Sequence, residues 1–149
     1  MMSLHWERAT VEDSPILAAL NLELIADEGH HNPMTVAELE VRMRDWLSTE
    51  YRAVLFRREQ RVVAYALFRT DEWSRIYLRQ FFVVRDARRQ GIGRTAIELF
   101  KREVVPVATP VVLEVLTQNA GGRAFWAATG FHEYCLALKW EPHGGAPSP

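Results

Sequence analysis

The fold is decided by the stretch Phe82-Val83-Val84-Arg85-Asp86-Ala87-Arg88-Arg89-Gln90-Gly91-Ile92-Gly93-Arg94. An apolar strand pattern runs into an arginine-rich turn with two glycines, and a helical pattern follows at once. A helix N-terminus presents unpaired backbone N–H groups and the positive end of the helix dipole, which suit an anion. Glycine lets the backbone approach a ligand closely, and the arginine fork matches phosphate. The segment therefore predicts a pyrophosphate site between a strand and a helix.

Two motifs in this chain resemble those of one family. The spacing Arg88-x-x-Gly91-x-Gly93 resembles the Arg/Gln-x-x-Gly-x-Gly/Ala signature of the GNAT superfamily of acyl-CoA-dependent N-acetyltransferases. Downstream, Asn119, Phe125-Trp126 and Gly130-Phe131 resemble the family's second stretch, and the resemblance covers residues 76–134. It implies an α/β fold with a mixed, mostly antiparallel central sheet, helices on both faces, and a splayed strand pair that holds the cofactor.

The resemblance also implies that acetyl-CoA is the cosubstrate. The turn amides would hold its pyrophosphate, and backbone groups near Phe82 to Val84 would pair with the pantetheine amides as an added strand does. The predicted cofactor-binding residues are Phe82, Val83, Val84, Arg88, Arg89, Gln90, Gly91, Ile92, Gly93, Arg94, Asn119, Phe125 and Trp126.

Two further phosphate-binding motifs fit the glycine turn less well. Gly91-x-Gly93-x-x-Ala96 matches a dinucleotide-binding fingerprint, with Glu114 at about the expected distance of 20 residues. However, Arg85 to Gln90 separate the strand from the glycines, and Glu114 lies inside a predicted strand. A Walker-type loop is excluded because no Gly-Lys-Ser/Thr follows. A third alternative is an exposed turn that binds no ligand. This alternative does not explain why Asn119 and Gly130-Phe131 follow downstream.

Composition indicates one ordinary globular domain. The chain has 149 residues, a net charge of −1 and no long basic block, which argues against a nucleic-acid partner. Its single cysteine excludes an internal disulfide, and no stretch has the length of a membrane span. We therefore expect a cytoplasmic protein without a membrane partner. One domain is predicted over residues 1–140, and residues 141–149 are predicted to be a disordered tail.

The periodicity of apolar residues predicts the element order β-αα-βββ-α-β-α-β(β). Two helices follow the capping patterns that begin at Thr10 and Thr35. The remaining predicted strands and helices cover residues 52–56, 62–68, 75–84, 93–103, 111–116, 120–129 and 131–140.

The candidate catalytic residues are two tyrosines and a glutamate. The resemblance places the family's usual general acid, a tyrosine, at Trp126, whose indole cannot usefully protonate a thiolate. Tyr134 is the candidate substitute. Glu114 is a candidate base, because burial in its apolar strand would raise its pKa; a solvent-facing glutamate is the alternative. Tyr77 is a further candidate, and alternation places it on one face with Arg79, Phe81 and Val83.

The joint between the first two helices, residues 27–33, contains Asp27, Glu28 and His30. In the family this joint walls the acceptor site, so these residues are the predicted substrate contacts, and the two acids favour a cationic acceptor. A polar loop with capping roles would use the same residues. Metal binding by His30 and His31 is not predicted, because no third spaced ligand is evident.

These patterns predict an N-acetyltransferase that moves an acetyl group from acetyl-CoA to a primary amine of a small acceptor. The amine would attack directly within a ternary complex. The alternative is a non-catalytic acyl-CoA-binding sensor or interaction module, because Trp126 replaces the expected tyrosine. Free strand edges and Trp140 permit a homodimer.

Overall fold

The computed structural model describes residues 3–29 and 32–142. The chain divides into two compact units, residues 1–114 and 115–149. The single domain over residues 1–140 stays a prediction. The predicted tail lies mostly outside the described residues, and Glu141 and Pro142 are exposed. Within the described ranges, no helix is long and apolar enough to cross a membrane.

The first unit begins with strand β1 (His5–Arg8), helix α1 (Ser14–Asp27) and helix α2 (Val36–Ser48). Both predicted capping patterns are confirmed. The Thr10 backbone N–H donates to Asp13 Oδ2 at 2.8 Å, at the 3₁₀ turn that precedes α1. Thr35 Oγ1 accepts from the Glu38 backbone N–H at 3.2 Å, and Glu38 Oε1 accepts from the Thr35 N–H at 2.9 Å. These local bonds fix where the helices begin.

The sheet of the first unit has five strands in chain order, with β2 (Arg52–Arg58), β3 (Arg61–Thr70), β4 (Ile76–Val83) and β5 (Val111–Val112) following β1. The first four strands pair antiparallel, and β5 lies parallel to β4.

Strand β5 is much shorter than the predicted 111–116. It pairs only Val111 with Ile76 and Val112 with Tyr77. From Leu78 onwards, β4 therefore has no strand on its β5 side within the described part of the chain. The end of this pairing matches the splayed strand pair that the family resemblance implies.

A β-bulge interrupts β4. Leu67 lies opposite Gln80, but the next residue, Phe68, lies opposite Leu78, so Arg79 has no residue opposite it. The extra residue shifts the alternation of side chains between the two faces by one position.

The bulge corrects the prediction that Tyr77, Arg79, Phe81 and Val83 share one face. The Arg79 guanidinium lies over Trp46 of α2, 4.8 Å from the ring centroid. Phe81 instead packs edge-on against Phe56, with ring centroids 6.5 Å apart.

Helices cover both faces of this sheet. Leu17, Leu20 and Met43 from α1 and α2 join one core cluster with residues of β2 to β4 that include Leu55, Tyr65, Leu67 and Phe82. Helix α3 (Ile92–Leu99) continues into a π turn at Phe100–Val104. Phe100 packs against Phe68, with ring centroids 5.1 Å apart.

The second unit contains helix α4 (Ala120–Ala128), which ends before Gly130 with its φ of 98°. The predicted strand over 131–140 is wrong: no described residue pairs with this segment in a ladder. Leu136, Leu138 and Trp140 are 80%, 91% and 83% exposed. Alternating apolar residues form a strand only where a neighbouring backbone supplies hydrogen bonds, so the pattern alone is not sufficient.

Candidate active site

The turn after β4 has the backbone shape that its glycine predicts. A 3₁₀ turn at Arg85–Ala87 follows the strand, and Gly91 precedes α3 with φ of 75°. No atom lies within 4 Å of the position that a Cβ at Gly91 would take. A side chain there would therefore be strained by the backbone and would point into open space.

The backbone N–H groups of residues 89–94 have no hydrogen-bond acceptor among the described residues. The first bond of α3 is made by Thr95, whose N–H donates to the Gly91 carbonyl at 3.0 Å. The run of unpaired donors stands at the positive end of the helix dipole. Such an arrangement binds anionic groups such as phosphate.

Two of the turn's arginines form ion pairs with one acid. Arg85 Nη2 lies 2.7 Å from Asp27 Oδ1, and the Arg88 guanidinium pairs with the other carboxylate oxygen. Arg88 Nε also donates to the Val83 carbonyl at 3.0 Å. These bonds join the turn to the C-terminus of α1. The predicted phosphate contact Arg88 therefore also holds the turn in place.

The remaining polar residues of the turn differ in their partners. Gln90 Oε1 accepts from Arg58 Nη1 at 2.5 Å. Arg89 and Arg94 are exposed, and within the described ranges neither has a hydrogen-bond or ion-pair partner on its side chain. Those two arginines are therefore available to an anion at the turn.

Asp27 is held at the turn rather than offered to an acceptor. Partial burial raises the pKa of its carboxyl, but the hydrogen bonds and charges of Arg85 and Arg88 outweigh burial and lower that pKa. Glu28 is exposed. Burial raises the pKa of Tyr65, and the negative charge of Glu28 raises it further. The third predicted substrate contact, His30, lies outside the described residues.

The structure brings two predicted catalytic residues together. Tyr77 Oη donates to Glu114 Oε1 at 2.7 Å. Burial first, and then the bond to Glu114, raise the pKa of Tyr77 to about 12, so this hydroxyl stays protonated at neutral pH. Glu114 is exposed and follows the end of β5, so its predicted burial is wrong and the solvent-facing alternative is correct.

A cluster that the sequence did not indicate lies on the α1/α2 face of the sheet. We call Arg42, Trp46, Tyr51 and Arg79 the arginine–aromatic cluster. The Arg42 and Arg79 guanidinium carbons lie 4.4 and 4.8 Å from the Trp46 ring centroid. Arg79 Nη1 also donates to Tyr51 Oη at 3.2 Å. Arg42 and Trp46 lie four residues apart on α2, but Tyr51 and Arg79 come from other parts of the chain, so no single local motif signals the cluster.

The remaining predicted residues belong to the second unit. Asn119 caps α4, because its Oδ1 accepts from the Gly122 N–H at 2.9 Å. The Trp126 ring lies 4.9 Å from Phe125 and 5.2 Å from Phe131, centroid to centroid. Tyr134, the candidate acid, is 72% exposed.

Across residues 3–29 and 32–142, no three potential ligands lie close enough together to hold a metal ion. His30 and His31, which could have contributed to such a site, lie outside those ranges.

Solved structures with a similar fold include several acetyltransferases. Aminoglycoside N-acetyltransferase AAC(6')-Iy in complex with CoA superposes with a TM-score of 0.76 at 11% identity, covering 96% of this chain and 97% of that one. A predicted acetyltransferase with acetyl-CoA from Clostridium acetobutylicum gives 0.69 at 14% identity, over 93% and 96%. Aminoglycoside acetyltransferase meta-AAC0020 from an uncultured soil metagenomic sample, with sisomicin, gives 0.69 at 17%, over 93% and 95%.

No curated protein matches this sequence significantly. The family model described as "Acetyltransferase (GNAT) family" matches residues 17–131, which include the glycine turn, the bulged strand and the cap of α4. The chain therefore belongs to the GNAT acetyltransferase family.

Proposed function

We propose that this protein is an N-acetyltransferase that moves an acetyl group from acetyl-CoA to a primary amine of a small acceptor. The observation that carries the proposal is the run of N–H groups over residues 89–94, which have no acceptor among the described residues. This run lies in the turn after β4, a strand that pairs with β5 only at Ile76 and Tyr77. Two of the similar structures contain CoA or acetyl-CoA, which supports the same cosubstrate here.

Different residues of the turn and of β4 would bind different parts of acetyl-CoA. The amides from Arg89 to Arg94 would hold the pyrophosphate, with the Arg89 and Arg94 side chains adding charge. The edge of β4 at Phe82 and Val83 would pair with the pantetheine, although the Val83 carbonyl already accepts from Arg88. Val84 is a weaker candidate, because its N–H donates to the Val63 carbonyl and its own carbonyl accepts from the Ala87 N–H. Asn119, Phe125 and Trp126 stay predicted cofactor-binding residues.

The reaction requires that the acceptor amine lose a proton and attack the thioester carbonyl. An N–C bond forms, the C–S bond breaks, and the thiolate leaves with the electron pair and takes up a proton. Glu114 is the proposed acceptor of the amine proton, directly or through water, and Tyr77 orients its carboxylate by donating to it. Tyr134 is the proposed donor to the thiolate.

The acceptor is proposed to be a small molecule whose amine is cationic before it loses its proton. Two similar enzymes are named as aminoglycoside acetyltransferases, which supports a small amine as the acceptor. Asp27 is a poor candidate for a direct contact because two arginines already hold it. Glu28 and His30 remain proposed contacts.

Thermal unfolding with acetyl-CoA, with CoA, and with NAD as a control tests the binding part of the proposal. A ligand at about 100 times its Kd stabilises the folded state by about 2.7 kcal/mol, a shift of several degrees in Tm. A shift with both CoA ligands and none with NAD is expected. A shift with NAD alone would instead support the dinucleotide alternative.

Release of free thiol from acetyl-CoA, measured across a panel of primary amines, tests catalysis. Amine-dependent release is expected. Binding of acetyl-CoA without release for any amine would favour the acyl-CoA-binding module. The predicted homodimer is tested by sedimentation of the same sample, and the cytoplasmic location stays a prediction.

A further inference from the structure

The arginine–aromatic cluster holds two guanidinium groups close together. Arg42 and Arg79 both lie against the Trp46 ring, at 4.4 and 4.8 Å, so their guanidinium carbons are at most about 9 Å apart. Arg42 Nη2 donates to Asn21 Oδ1 at 3.1 Å, and Arg79 Nη1 donates to Tyr51 Oη at 3.2 Å. All of these acceptors are neutral.

Neither arginine has an acidic partner among the described residues. The neighbouring Arg69, which lies over the Tyr51 ring, does have one: Glu72, at 3.8 Å. Two like charges without a counter-ion repel each other. The two guanidinium groups therefore form a local excess of positive charge on the α1/α2 face.

Part of this excess is also desolvated. Arg42 Nε and Asn21 Nδ2 are buried, and no described residue accepts a hydrogen bond from either. The Asn21 residue is 1% exposed. Burial, and secondarily the charge of Arg79, lower the pKa of Arg42. Buried donors and a half-buried charge are unfavourable until an anion compensates them.

The cluster lies beside the proposed catalytic pair. Arg79 is two residues from Tyr77 on β4, about 7 Å along a strand, and the bulge leaves both on the α1/α2 face. The Arg69 guanidinium lies over the Tyr77 ring at 5.4 Å and over the Tyr51 ring at 6.0 Å. A line of contacts therefore connects the unbalanced arginines to the Glu114 carboxylate.

We propose that the acceptor of this enzyme is an amino carboxylate of about amino-acid size, whose carboxylate is bound by Arg42 and Arg79. This inference rests on the proposed function. Trp46 and Tyr51 hold the two forks in place, and the acceptor's amine is directed towards Tyr77 and Glu114. The carboxylate supplies the missing counter-ion, and planar guanidinium groups match its geometry.

Acceptors that carry only positive charge do not fit the cluster. A polyamine or an aminoglycoside would bring further cations against Arg42 and Arg79. The chain would therefore differ in acceptor from the two similar enzymes that are named for aminoglycosides.

Matched acceptors test the proposal with the full chain. Acetyl transfer is measured for a series of amino acids, the corresponding amino acid amides, an aminoglycoside and an aminoalkyl phosphate. We expect kcat/KM for the free acids to exceed that for their amides by about tenfold or more. An aminoglycoside that outperforms every free acid overturns the proposal, and so does a preference for the phosphate.

Variants test whether Arg42 and Arg79 cause the preference for free acids over amides. Arg42→Gln and Arg79→Gln should lower kcat/KM for the free acids by about tenfold, mainly through KM, and change the amides by less than about twofold. Arg44→Gln is the matched control, because Arg44 also lies on α2 but is exposed and paired with Glu40 at 3.6 Å. Equal effects on acids and amides would assign these arginines a structural role only.

Calorimetry separates failure of this inference from failure of the proposed function. Amino acids and their amides are titrated into the protein with and without CoA, so no turnover is needed. Tighter binding of the acids, lost in Arg79→Gln, supports the cluster even if acetyl transfer is absent. Equal binding of acids and amides overturns it even if acetyl transfer from acetyl-CoA is observed.

Discussion

Two pairs of arginines in this molecule carry the same charge in opposite surroundings. Arg85 and Arg88, in the glycine turn, share the carboxylate of Asp27. Arg42 and Arg79, on α2 and the bulge of β4, contact rings and neutral oxygens. The first pair belongs to an arginine-rich stretch of the sequence, whereas Arg42 and Arg79 are 37 residues apart along the chain and meet only in the folded structure.

The difference shows that a local density of arginine does not by itself identify the residues that bind an anion. Arg88 fits the family signature, yet its guanidinium is already satisfied by an acid and a carbonyl. What the turn offers an anion is mainly its backbone, whereas the cluster offers only side chains. The two sites should therefore respond differently to mutation.

The largest expected effect is at the backbone of the turn. Gly91→Val should reduce acetyl-CoA affinity by about 100-fold or more, because φ of 75° is unfavourable for a β-branched residue and the new side chain would occupy the anion's space. Gly29→Val is the matched control, since Gly29 has φ of 67° and equally open space at the end of α1. Binding is measured by calorimetry, and an unchanged affinity in Gly91→Val would rule out the turn as the site.

Local patterns are the reason that so much of the fold could be predicted. The capping box at Thr35 and the glycine at position 91 each act within a few residues, and the structure contains both as predicted. Such features depend on backbone geometry that the neighbouring residues already determine.

The incorrect predictions concern strand register and tertiary contacts, which the local sequence does not determine. One extra residue at Arg79 moved Phe81 to the opposite face, and nothing in the sequence marks a bulge. Glu114 follows an apolar run, but β5 ends at Val112 and leaves the carboxylate exposed. The arginine–aromatic cluster requires knowledge of which helix covers which strand.

The second expected effect concerns the pair beside the cluster. Tyr77→Phe should lower kcat about tenfold with little change in KM, because the Glu114 carboxylate loses its orienting donor. The shape of the pH–rate profile between about pH 6 and pH 10 should not change, because the pKa of Tyr77 is about 12.

Tyr65→Phe is the control for that experiment. Tyr65 is buried and donates to Gln80 at 2.8 Å, so its loss should lower stability and leave kcat unchanged. A similar fall in kcat for both variants would contradict a specific role of Tyr77.

Removing the charge of Asp27 would leave Arg85 and Arg88 without their acidic partner. Asp27→Asn should lower the free energy of unfolding at pH 7 by about 1 kcal/mol, because two partly screened charge-assisted hydrogen bonds are weakened. The folded-state pKa of Asp27 lies below its ordinary value. Its contribution is therefore present above about pH 4 and is lost as the pH falls through the folded-state pKa.

Urea unfolding of the wild type and Asp27→Asn from about pH 7 down to about pH 3 measures this contribution. The difference between the two proteins should shrink on acidification. A difference that stays constant with pH would mean that packing, and not the charge of Asp27, stabilises the junction of α1 and the turn.

The smallest expected effect distinguishes two adjacent arginines of the turn, Arg88 and Arg89. Arg89→Gln should weaken acetyl-CoA binding about threefold at low salt and less at high salt, because an exposed charge is readily screened. Arg88→Gln should mainly lower stability, because it removes the pair with Asp27, and its effect on affinity should depend little on salt. Calorimetry at two salt concentrations, with thermal unfolding of each variant, measures both properties. The reverse assignment, with stability lost at Arg89 and salt-dependent affinity lost at Arg88, would mean that the pair with Asp27 opens when acetyl-CoA binds.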